Sequence, residues 1–408
     1  MPTSGKANTG RRVDLASGPV DWKVTVAPER LVAECLPRNH PSVTDLEEAV
    51  RRAIAQPLGF PPLEQAIYPN DRVVIAVDGS PAAYRTVLGP LIEIARRRGA
   101  RAEDIVVVAP HRARPHGRAI GDFAARVEFH NPDDQSQLSY LASTEEGDRI
   151  YLNRTVVDAD VLILVGAVRY DPVLGYRGTS SAVFPALSTT ESYQRFVSSF
   201  TGRSLGHHPR WARDYVDQVA WLLGAQFCVQ LVPGAQTAVA GVLAGNLSAV
   251  QQAAEKLLDQ TLSFQVPRRA ELVVATVSRG GRQSMAELAR AAFTARQVIR
   301  KGGRIVLLSD TDHVEGPTLE RTRRAADVSE ILSYLRHHTP PDAVTAFMHA
   351  TACRDATVYL RSNLNEDLVE ELFMYPLHHA DQLQRLIDQA ESLIVLHEAN
   401  RLRVSVTD

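Results

Sequence analysis

Short β-branched segments alternate with helical segments along this chain, and the alternation constrains the fold more than any other feature. Asp71 to Val77 is an apolar run that predicts a buried parallel strand. Val87 to Arg98 has apolar residues at helical spacing, and Asp104 to Ala109 and Asp160 to Gly166 predict two further strands. Because strands joined through helices form right-handed crossovers, we expect an α/β fold with a mostly parallel sheet.

The same alternation begins again in the last third of the chain. Glu271 to Val277 predicts a strand, and Met285 to Lys301 predicts a helix that Gly302 and Gly303 close. A chain of 408 residues is also longer than one hydrophobic core usually supports. We therefore expect two α/β domains, each with a sheet flanked by helices and with a cleft between them. The predicted segments are a disordered tail over residues 1–20, an N-terminal domain over 21–265 and a C-terminal domain over 266–408.

Charge, apolar content and cysteine spacing argue against several classes of function. The net charge of −2 offers no electrostatic basis for binding nucleic acid or an anionic membrane. No apolar stretch approaches the roughly 20 residues of a membrane span, and the polar N-terminus lacks the apolar region of a secretory signal. The three cysteines, Cys35, Cys228 and Cys353, are far apart and lack metal-ligand spacing. These features predict a cytoplasmic protein without a cysteine metal site, and they leave its oligomeric state open.

Ligands of open parallel sheets bind beyond the carboxyl ends of the strands. The residues just after each predicted strand are therefore the first candidates for a site. These post-strand segments are Asp78 to Pro81, Pro110 to Arg114, Arg169 to Arg177 and Ser278 to Arg282.

The post-strand segments and their neighbours resemble the nickel-dependent lactate racemases, over roughly residues 65 to 260. Asp71-Arg-Val-Val-Ile-Ala-Val-Asp78 resembles the racemase segment that ends in Asp-x-Thr/Ser-Arg-Pro, and Val106-Val-Val-Ala-Pro-His111-Arg112 resembles its Ala-x-Gly-Thr-His-Arg. Further along, Gly175-Tyr176-Arg-Gly178 followed by Phe184-Pro185 resembles Gly-Tyr-Ser-Gly-Gly-x-Lys-x-Ile-Leu-Pro-Gly. His130 lies between these motifs, in the order of the family.

The resemblance implies racemisation of lactate or a related 2-hydroxy acid. The family uses a nickel-pincer nucleotide that accepts the substrate hydride, tethered by a lysine and completed by a nickel-binding histidine. Two further histidines act as bases on opposite faces of the substrate, and histidine suits this task because its pKa lies near neutrality. An arginine binds the carboxylate through two hydrogen bonds.

Several of the family's functional positions carry other residues in this chain. His111 occupies one base position and is the candidate base, with Arg112 beside it. Asp171 falls at the second base position, and Ser181 falls where the family has its tethering lysine. The motif arginine falls on Pro81. In the second domain, the family's tyrosine and lysine fall on Ala289 and Phe293.

The resemblance also implies a ligand site for a small carboxylate or a phosphate-bearing molecule. Its predicted binding residues are Asp78, Ser80, Arg112, Tyr176, Arg177 and Gly178. Each has a structural alternative: His111 as a polar loop residue, Asp78 as a turn or capping residue, and the loop from Gly175 to Gly178 as a tight turn. Arg112 and Arg177 would then face solvent.

Three functions are open at this point. The first is a family member with an anion-binding cleft and altered or lost racemase catalysis. The second is an active 2-hydroxy-acid racemase or epimerase that uses the cofactor without a covalent tether, with His111 as its base. The third is a non-catalytic structural or interaction protein. The cofactor is therefore undetermined from the sequence, although the family implies the nickel-pincer nucleotide.

Overall fold

The computed structural model describes residues 10–17, 20–78, 84–110, 126–143, 147, 149–201, 210–279 and 283–407. The chain divides into two compact units. The terminal unit combines Met1–Arg38 with Leu262–Asp408, and the central unit is Asn39–Thr261. Among the described residues, no helix is long and apolar enough to cross a membrane.

The described strands are two to ten residues long. In chain order they are β1 (Arg11–Ser17), β2 (Val20–Val26), β3 (Leu31–Cys35), β4 (Val73–Val77), β5 (Ile105–Pro110), β6 (Arg126–His130), β7 (Leu138–Ser143), β8 (Arg149–Asn153), β9 (Val161–Ala167), β10 (Arg169–Asp171), β11 (Gly175–Arg177), β12 (Phe227–Pro233), β13 (Val239–Gly245), β14 (Ser263–Val266), β15 (Ala270–Thr276), β16 (Ile299–Leu308), β17 (Thr357–Arg361), β18 (Tyr375–Pro376), β19 (Leu393–Leu396) and β20 (Arg403–Val406).

The described helices separate these strands. In chain order they are α1 (Leu46–Ala55), α2 (Tyr84–Arg97), α3 (Arg154–Val157), α4 (Thr190–Thr201), α5 (Arg210–Leu222), α6 (Leu247–Leu262), α7 (Met285–Arg296), α8 (Pro317–Thr322), α9 (Val328–His337), α10 (Ala343–Asp355), α11 (Glu366–Glu371) and α12 (Ala380–Gln389).

The central unit is built on a six-stranded sheet in the order β13-β12-β9-β4-β5-β6. Its neighbouring strands are parallel except for the antiparallel pair of β12 and β13. Alternate residues of the strands face opposite sides, as the pleat requires. Val73, Ile75 and Val77 pack against α1 and α2, whereas Val74 and Ala76 pack toward α5, α6 and the residues around Val183. Both faces are covered, which explains why the strand sequences are almost continuously apolar.

The terminal unit carries a second six-stranded sheet, in the order β18-β17-β16-β15-β19-β3, in which every neighbouring pair is parallel. The antiparallel pair of β1 and β2 packs on one face of it: Val13, Leu15, Val24 and Val26 are buried in the same core as Leu272 of β15. Two α/β units with mostly parallel sheets confirm the predicted fold class.

The predicted domain limits and disordered tail differ from the observed division. Residues 21–38 belong with the C-terminal part of the chain because β3 pairs with β19 and the β1–β2 pair is buried there. β1 lies within the predicted tail, so the tail prediction is wrong for Arg11–Ser17, although residues 1–9 and 18–19 are outside the described residues. The alternating pattern of Val13 and Leu15 was the missed signal, since period-two apolar residues form a half-buried strand.

The predicted helix over Met285 to Lys301 is also too long. Helix α7 ends at Arg296, and β16 already begins at Ile299 and passes through Gly302 and Gly303. The glycines therefore lie within a strand and do not cap the helix. Ile299 pairs with Ala270, and a register shift between Ala270 and Leu272 accommodates the extra residues of β16. This tertiary pairing overrides the local helical pattern.

Among the described glycines of the central unit, Gly245 should tolerate substitution least. Its φ is +136°, and an added Cβ would lie 2.2 Å from the carbonyl oxygen of Leu58. Gly224 is the matched control, because its φ is +76° and an added Cβ would meet nothing within 4 Å. We expect Gly224→Ala to lower the free energy of unfolding by about 1 kcal/mol through backbone strain alone. Gly245→Ala should lose a further ~1–3 kcal/mol from the clash. Urea denaturation of both variants measures the difference, and equal losses would contradict the assigned contact.

Candidate functional site

The central sheet has a topological switch point between β4 and β9. From β4 the chain adds β5 and β6 on one side, whereas β9 is followed by β12 and β13 on the other. Crevices at such points, beyond the carboxyl ends of the strands, are where open α/β sheets bind ligands. Asp78 directly follows β4, and the hairpin formed by β10 and β11 follows β9. Two of the sequence-predicted segments therefore meet at one edge of one sheet.

Asp78 connects the carboxyl ends of β4 and β9 at this edge. Its side chain is buried, and Oδ2 accepts a hydrogen bond of 3.1 Å from the backbone N–H of Ala167. The backbone N–H of Asp78 donates to Val165. Gly166 lies beneath the carboxylate, since an added Cβ there would come within 2.7 Å of Asp78 Oδ2. The carboxylate of Asp78 thus accepts a hydrogen bond from the last residue of β9. This contact corresponds to the structural alternative for Asp78 that the sequence offered.

Asp171 has a structural contact where the family has a base. Oδ1 accepts hydrogen bonds from the backbone N–H groups of Val173 (2.9 Å) and Leu174 (3.0 Å), which closes the turn between β10 and β11. Oδ2 lies 3.6 Å from Nη1 of Arg177 in an ion pair. One oxygen therefore fixes the turn, and the other faces the guanidinium of Arg177.

The turn after β11 has two consecutive residues with positive φ. Gly178 has a φ of 141° and Thr179 a φ of 45°. Ser181, at the position of the family's lysine, is completely buried. Its Oγ accepts from the backbone N–H of Gly178 at 2.9 Å, and its own N–H donates to the carbonyl of Gly178. The serine therefore holds the turn together from inside.

Arg213 of α5 binds this turn from outside. Nη1 donates to the carbonyls of Tyr176 (3.2 Å) and Gly178 (3.3 Å), and Nη2 donates to Oγ1 of Thr179 at 2.7 Å. Asp217, one helical turn on, accepts two hydrogen bonds from the same guanidinium. Hydrogen bonds to a charged group contribute about 1.5–3 kcal/mol each, so they can offset the ~1–3 kcal/mol of a β-branched residue at positive φ.

The polar network continues from Thr179 into α6. Oγ1 of Thr179 donates to Oε1 of Gln251 at 2.8 Å, and Nε2 of Gln251 donates to Glu255 at 2.6 Å. Farther along the same helix, Asp259 accepts hydrogen bonds from the hydroxyls of Tyr170 and Tyr176. Helix α6 therefore fixes both the hairpin and the turn that follows it.

Buried polar atoms without a partner gather around Gly178. In the part of the chain that the structure describes, such side-chain atoms are Nε of Arg177 and both Nε2 and Oε1 of Gln230. Gln230 lies within β12 and is 0% exposed, and its Oε1 would lie 3.0 Å from a Cβ added to Gly178. Each unpaired buried group costs about 1–3 kcal/mol. Their concentration at one turn makes this turn the candidate ligand site.

His130, at the end of β6, has a structural environment. It is buried, its Nε2 lies 2.8 Å from the carbonyl of Ser188, and its Nδ1 lies 3.5 Å from the side-chain amide of Asn153. Burial lowers the pKa of His130 below its usual value. Its ring therefore stays neutral near pH 7 and ties β6 to the segment that carries Ser188.

The remaining sequence-predicted residues fall into two groups. Ser80, Pro81, His111 and Arg112 are outside the described residues, so their roles stay predictions. In the terminal unit, Ala289 is fully buried in α7, and Phe293, one turn on, lies 5.9 Å from the guanidinium of Arg296. The described residues contain no group of three or more histidine, cysteine, aspartate or glutamate side chains placed to hold a metal ion.

Four residues that build the site were not predicted from the sequence. They are Arg213, Gln230, Gln251 and Asp259. Gln230 did leave a signal, because it is a single polar residue in the middle of the apolar run Phe227 to Pro233. A buried amide in a central strand needs a partner, so this position could have been inspected. The others lie on amphipathic helices, where a polar residue is expected on any exposed face.

Three comparisons place the chain among known proteins. Residues 18–202 match the lactate racemase N-terminal domain. The lactate racemase of Lactiplantibacillus plantarum is 21% identical over 391 residues, 88% of each chain. The solved lactate racemase apoprotein from Thermoanaerobacterium thermosaccharolyticum superposes with a TM-score of 0.84 at 17% identity, over 97% of this chain and 100% of that one. A protein from Thermotoga maritima gives a TM-score of 0.63 at 14% identity, over 91% and 100%. At these identities the two structures establish the fold alone.

Ser181→Lys should unfold the turn that Ser181 holds. The position is completely buried, and its hydroxyl is the acceptor for Gly178 N–H. A lysine there would have to bury a charge or displace the turn, at a cost of at least ~3 kcal/mol. Ser181→Ala is the control, and it should lose about 1 kcal/mol with its one hydrogen bond. Chemical denaturation compares the two, and a lysine variant as stable as the alanine variant would show that the position has room for the longer chain.

Proposed function

Because the chain belongs to a lactate-racemase-like family, we propose that it binds a small 2-hydroxy acid or a similar carboxylate at the Gly178 turn, without the family's tethered racemisation. The observation that carries this proposal is the group of unpaired buried atoms of Arg177 and Gln230 around Gly178. An amide offers both a donor and an acceptor, and a guanidinium offers donors, which together suit a carboxylate with an adjacent hydroxyl.

The residues present do not fit the covalently tethered nickel-pincer nucleotide. The tether needs an amine, and Ser181 supplies a hydroxyl that is buried and already accepts a backbone hydrogen bond. We therefore derive no reaction step through that group. The position of the second base supports the same conclusion, since both oxygens of Asp171 have local contacts. Aspartate is also about 2.5 pKa units less basic than histidine.

His111 and Arg112 also belong to the proposal, although both are outside the described residues. They directly follow β5 in the sequence, and β5 lies beside β4 in the central sheet. We propose His111 as the one family base that this chain keeps and Arg112 as a carboxylate ligand. A reducing cytoplasmic setting is part of the proposal and is consistent with the three free cysteines.

Lactate racemisation should be absent from this protein and from its Ser181→Lys variant, even when either is produced together with a working cofactor pathway. Asp171, Pro81 and Phe293 would still differ from the family, and residues that act as a unit are not restored one at a time. Chiral chromatography of lactate, nickel analysis and intact-mass spectrometry measure turnover, metal and adduct. Turnover with about one nickel per chain and no adduct would instead establish an active, untethered racemase. A nucleotide-sized mass addition would refute the loss of the tether.

Replacing Gln230 should separate binding from stability. Gln230→Leu removes two unpaired polar atoms, so the free energy of unfolding should stay equal or rise by up to ~2 kcal/mol, while ligand affinity falls at least tenfold. Gln251→Leu is the matched control: it breaks partnered hydrogen bonds and should lower stability. Calorimetric titration with lactate, malate and 3-phosphoglycerate measures affinity, and denaturation measures stability.

The wild-type titration also tests the proposed function itself. Binding of at least one of these acids supports it. If none binds, the site is not a 2-hydroxy-acid site, and the chain is better explained as a structural or interaction protein. If an acid binds equally well to wild type and to Gln230→Leu, then the unpaired amide is not part of the site.

A further inference from the structure

The unpaired polar atoms at the candidate site are closed off from solvent. Both amide atoms of Gln230 and Nε of Arg177 are buried without a partner in the described part of the chain. The turn beside them is buried as well, because Thr179, Ser180 and Ser181 are almost completely inaccessible. A ligand therefore cannot reach the amide of Gln230 in this conformation. If the amide binds a ligand, the site has to open first.

Arg213 joins the buried turn to the protein surface. Its guanidinium donates to the carbonyls of Tyr176 and Gly178 and to Oγ1 of Thr179, over distances of 2.7–3.3 Å. Asp217 accepts two further hydrogen bonds from the same guanidinium. The side chain of Arg213 is 13% exposed and that of Asp217 is 46% exposed. Because both residues lie on α5 and reach solvent, the guanidinium can move outward while it stays paired with Asp217.

The backbone of the turn favours such a release. Thr179 has a φ of 45°, a conformation that a β-branched residue keeps only while its surroundings impose it. Arg213 and Gln251 impose it through Oγ1 of Thr179. The turn also contacts the unpaired amide, since Oε1 of Gln230 would lie 3.0 Å from a Cβ added to Gly178. Loss of the guanidinium contacts would therefore free the part of the backbone that lies against the amide.

We propose that the turn from Gly178 to Ser181 is a gate over the amide of Gln230 and that Arg213 keeps this gate shut. When it opens, the guanidinium leaves the turn together with Asp217, Thr179 relaxes from its positive φ, and a small acid reaches the amide. The inference rests on the proposed function and adds how access to its site is controlled. Arg213 is a positioning residue here, since it acts on the ligand through the turn.

Cys228 is a native reporter of this opening. It lies two residues before Gln230 in β12, so both side chains face the same side of the sheet, and it is fully buried. It shares a core with Ala182 and Val183, which directly follow the turn. Burial raises the pKa of the Cys228 thiol, and the positive charge of Arg213 opposes this rise. Because the thiolate is the reactive form, removing that charge alone would slow the reaction of the thiol. Faster labelling of an Arg213 variant would therefore report greater access to Cys228.

The first experiment measures the reaction of each cysteine of the full-length protein with iodoacetamide, resolved by peptide mass spectrometry. The rate at Cys228 should not change in urea below about 1 M, because a local opening exposes little surface. Arg213→Gln should raise this rate about tenfold or more, while Cys35 and Cys353 of the terminal unit stay within about twofold of wild type. Asp214→Asn is the matched control: it removes a charge from the next residue of α5, which is exposed, and should leave all three rates unchanged.

The second experiment tests whether the ligand uses this opening. Stopped-flow fluorescence of Trp211 and Trp221, both on α5, follows the binding of lactate or malate. Arg213→Gln should raise the association rate constant about fivefold, because a larger fraction of the protein is open to the ligand. Loss of a merely structural contact would weaken binding without making association faster. Saturating acid should also slow the labelling of Cys228 in the wild type, since the bound form is closed.

The outcomes separate the gate from the proposed function. If Cys228 reacts only in step with global unfolding, or if Arg213→Gln leaves its rate unchanged, the gate is wrong and the proposed function stands on its own titration. If labelling becomes faster but association does not, Arg213 only stabilises the turn and the inference is wrong. If the turn opens as expected and calorimetry detects no binding of any acid, the proposed function fails, and with it the role of the opening in ligand entry.

Discussion

The guanidinium of Arg213 is the contact on which the candidate site depends. It joins α5 to the two backbone carbonyls and the one hydroxyl that define the turn around Gly178. Without it, Thr179 would have to hold a β-branched side chain at positive φ with only Gln251 as a partner. This turn also places Gly178 against the side chain of Gln230. It directly follows Arg177, the last residue of β11. A single, partly buried guanidinium therefore fixes the backbone from which the site is built.

This dependence explains how the changes at the family's positions fit together. Ser181, at the family's lysine position, accepts a hydrogen bond from a backbone N–H through its hydroxyl, and a lysine ammonium cannot accept one. Asp171, at the position of the second base, likewise accepts backbone hydrogen bonds through its carboxylate. Thr179, where the family motif has its second glycine, supplies the hydroxyl that Arg213 and Gln251 share. Thr179 and Ser181 therefore belong to one turn, and Asp171 closes the hairpin that leads into it. Reversing either of the first two would remove a contact within the same turn, so we expect their effects on stability to be coupled.

The sequence predicted the fold better than it predicted the site. The strands and helices of the central unit were recognised because both faces of its sheet are covered and the apolar runs are unbroken. The β1–β2 pair was missed because residues that pack on a distant part of the chain leave only a short local pattern. At the site, Arg177, Tyr176 and Gly178 were identified from their motif, whereas Arg213 and Asp259 reach the turn through tertiary packing. No local spacing reveals such contacts, since they depend on how α5 and α6 cross the sheet.

Satisfied and unpaired polar atoms lie side by side at the Gly178 turn, and this contrast is what favours the proposed binding site over a purely structural turn. If selection acted only on stability, an apolar residue at position 230 would continue the core that Cys228 and its neighbours form, and the two unpaired amide atoms of Gln230 would be absent. The structure instead combines a well-satisfied network, from Asp217 through Thr179 to Glu255, with unpaired atoms directly beside it. The hydrogen bonds of Thr179 and Gln251 show that polar side chains next to Gly178 can find partners within the chain. The unpaired atoms of Gln230 and Arg177 are the exception. The unpaired amide of Gln230 and Nε of Arg177 are therefore the atoms that the proposed ligand would have to satisfy.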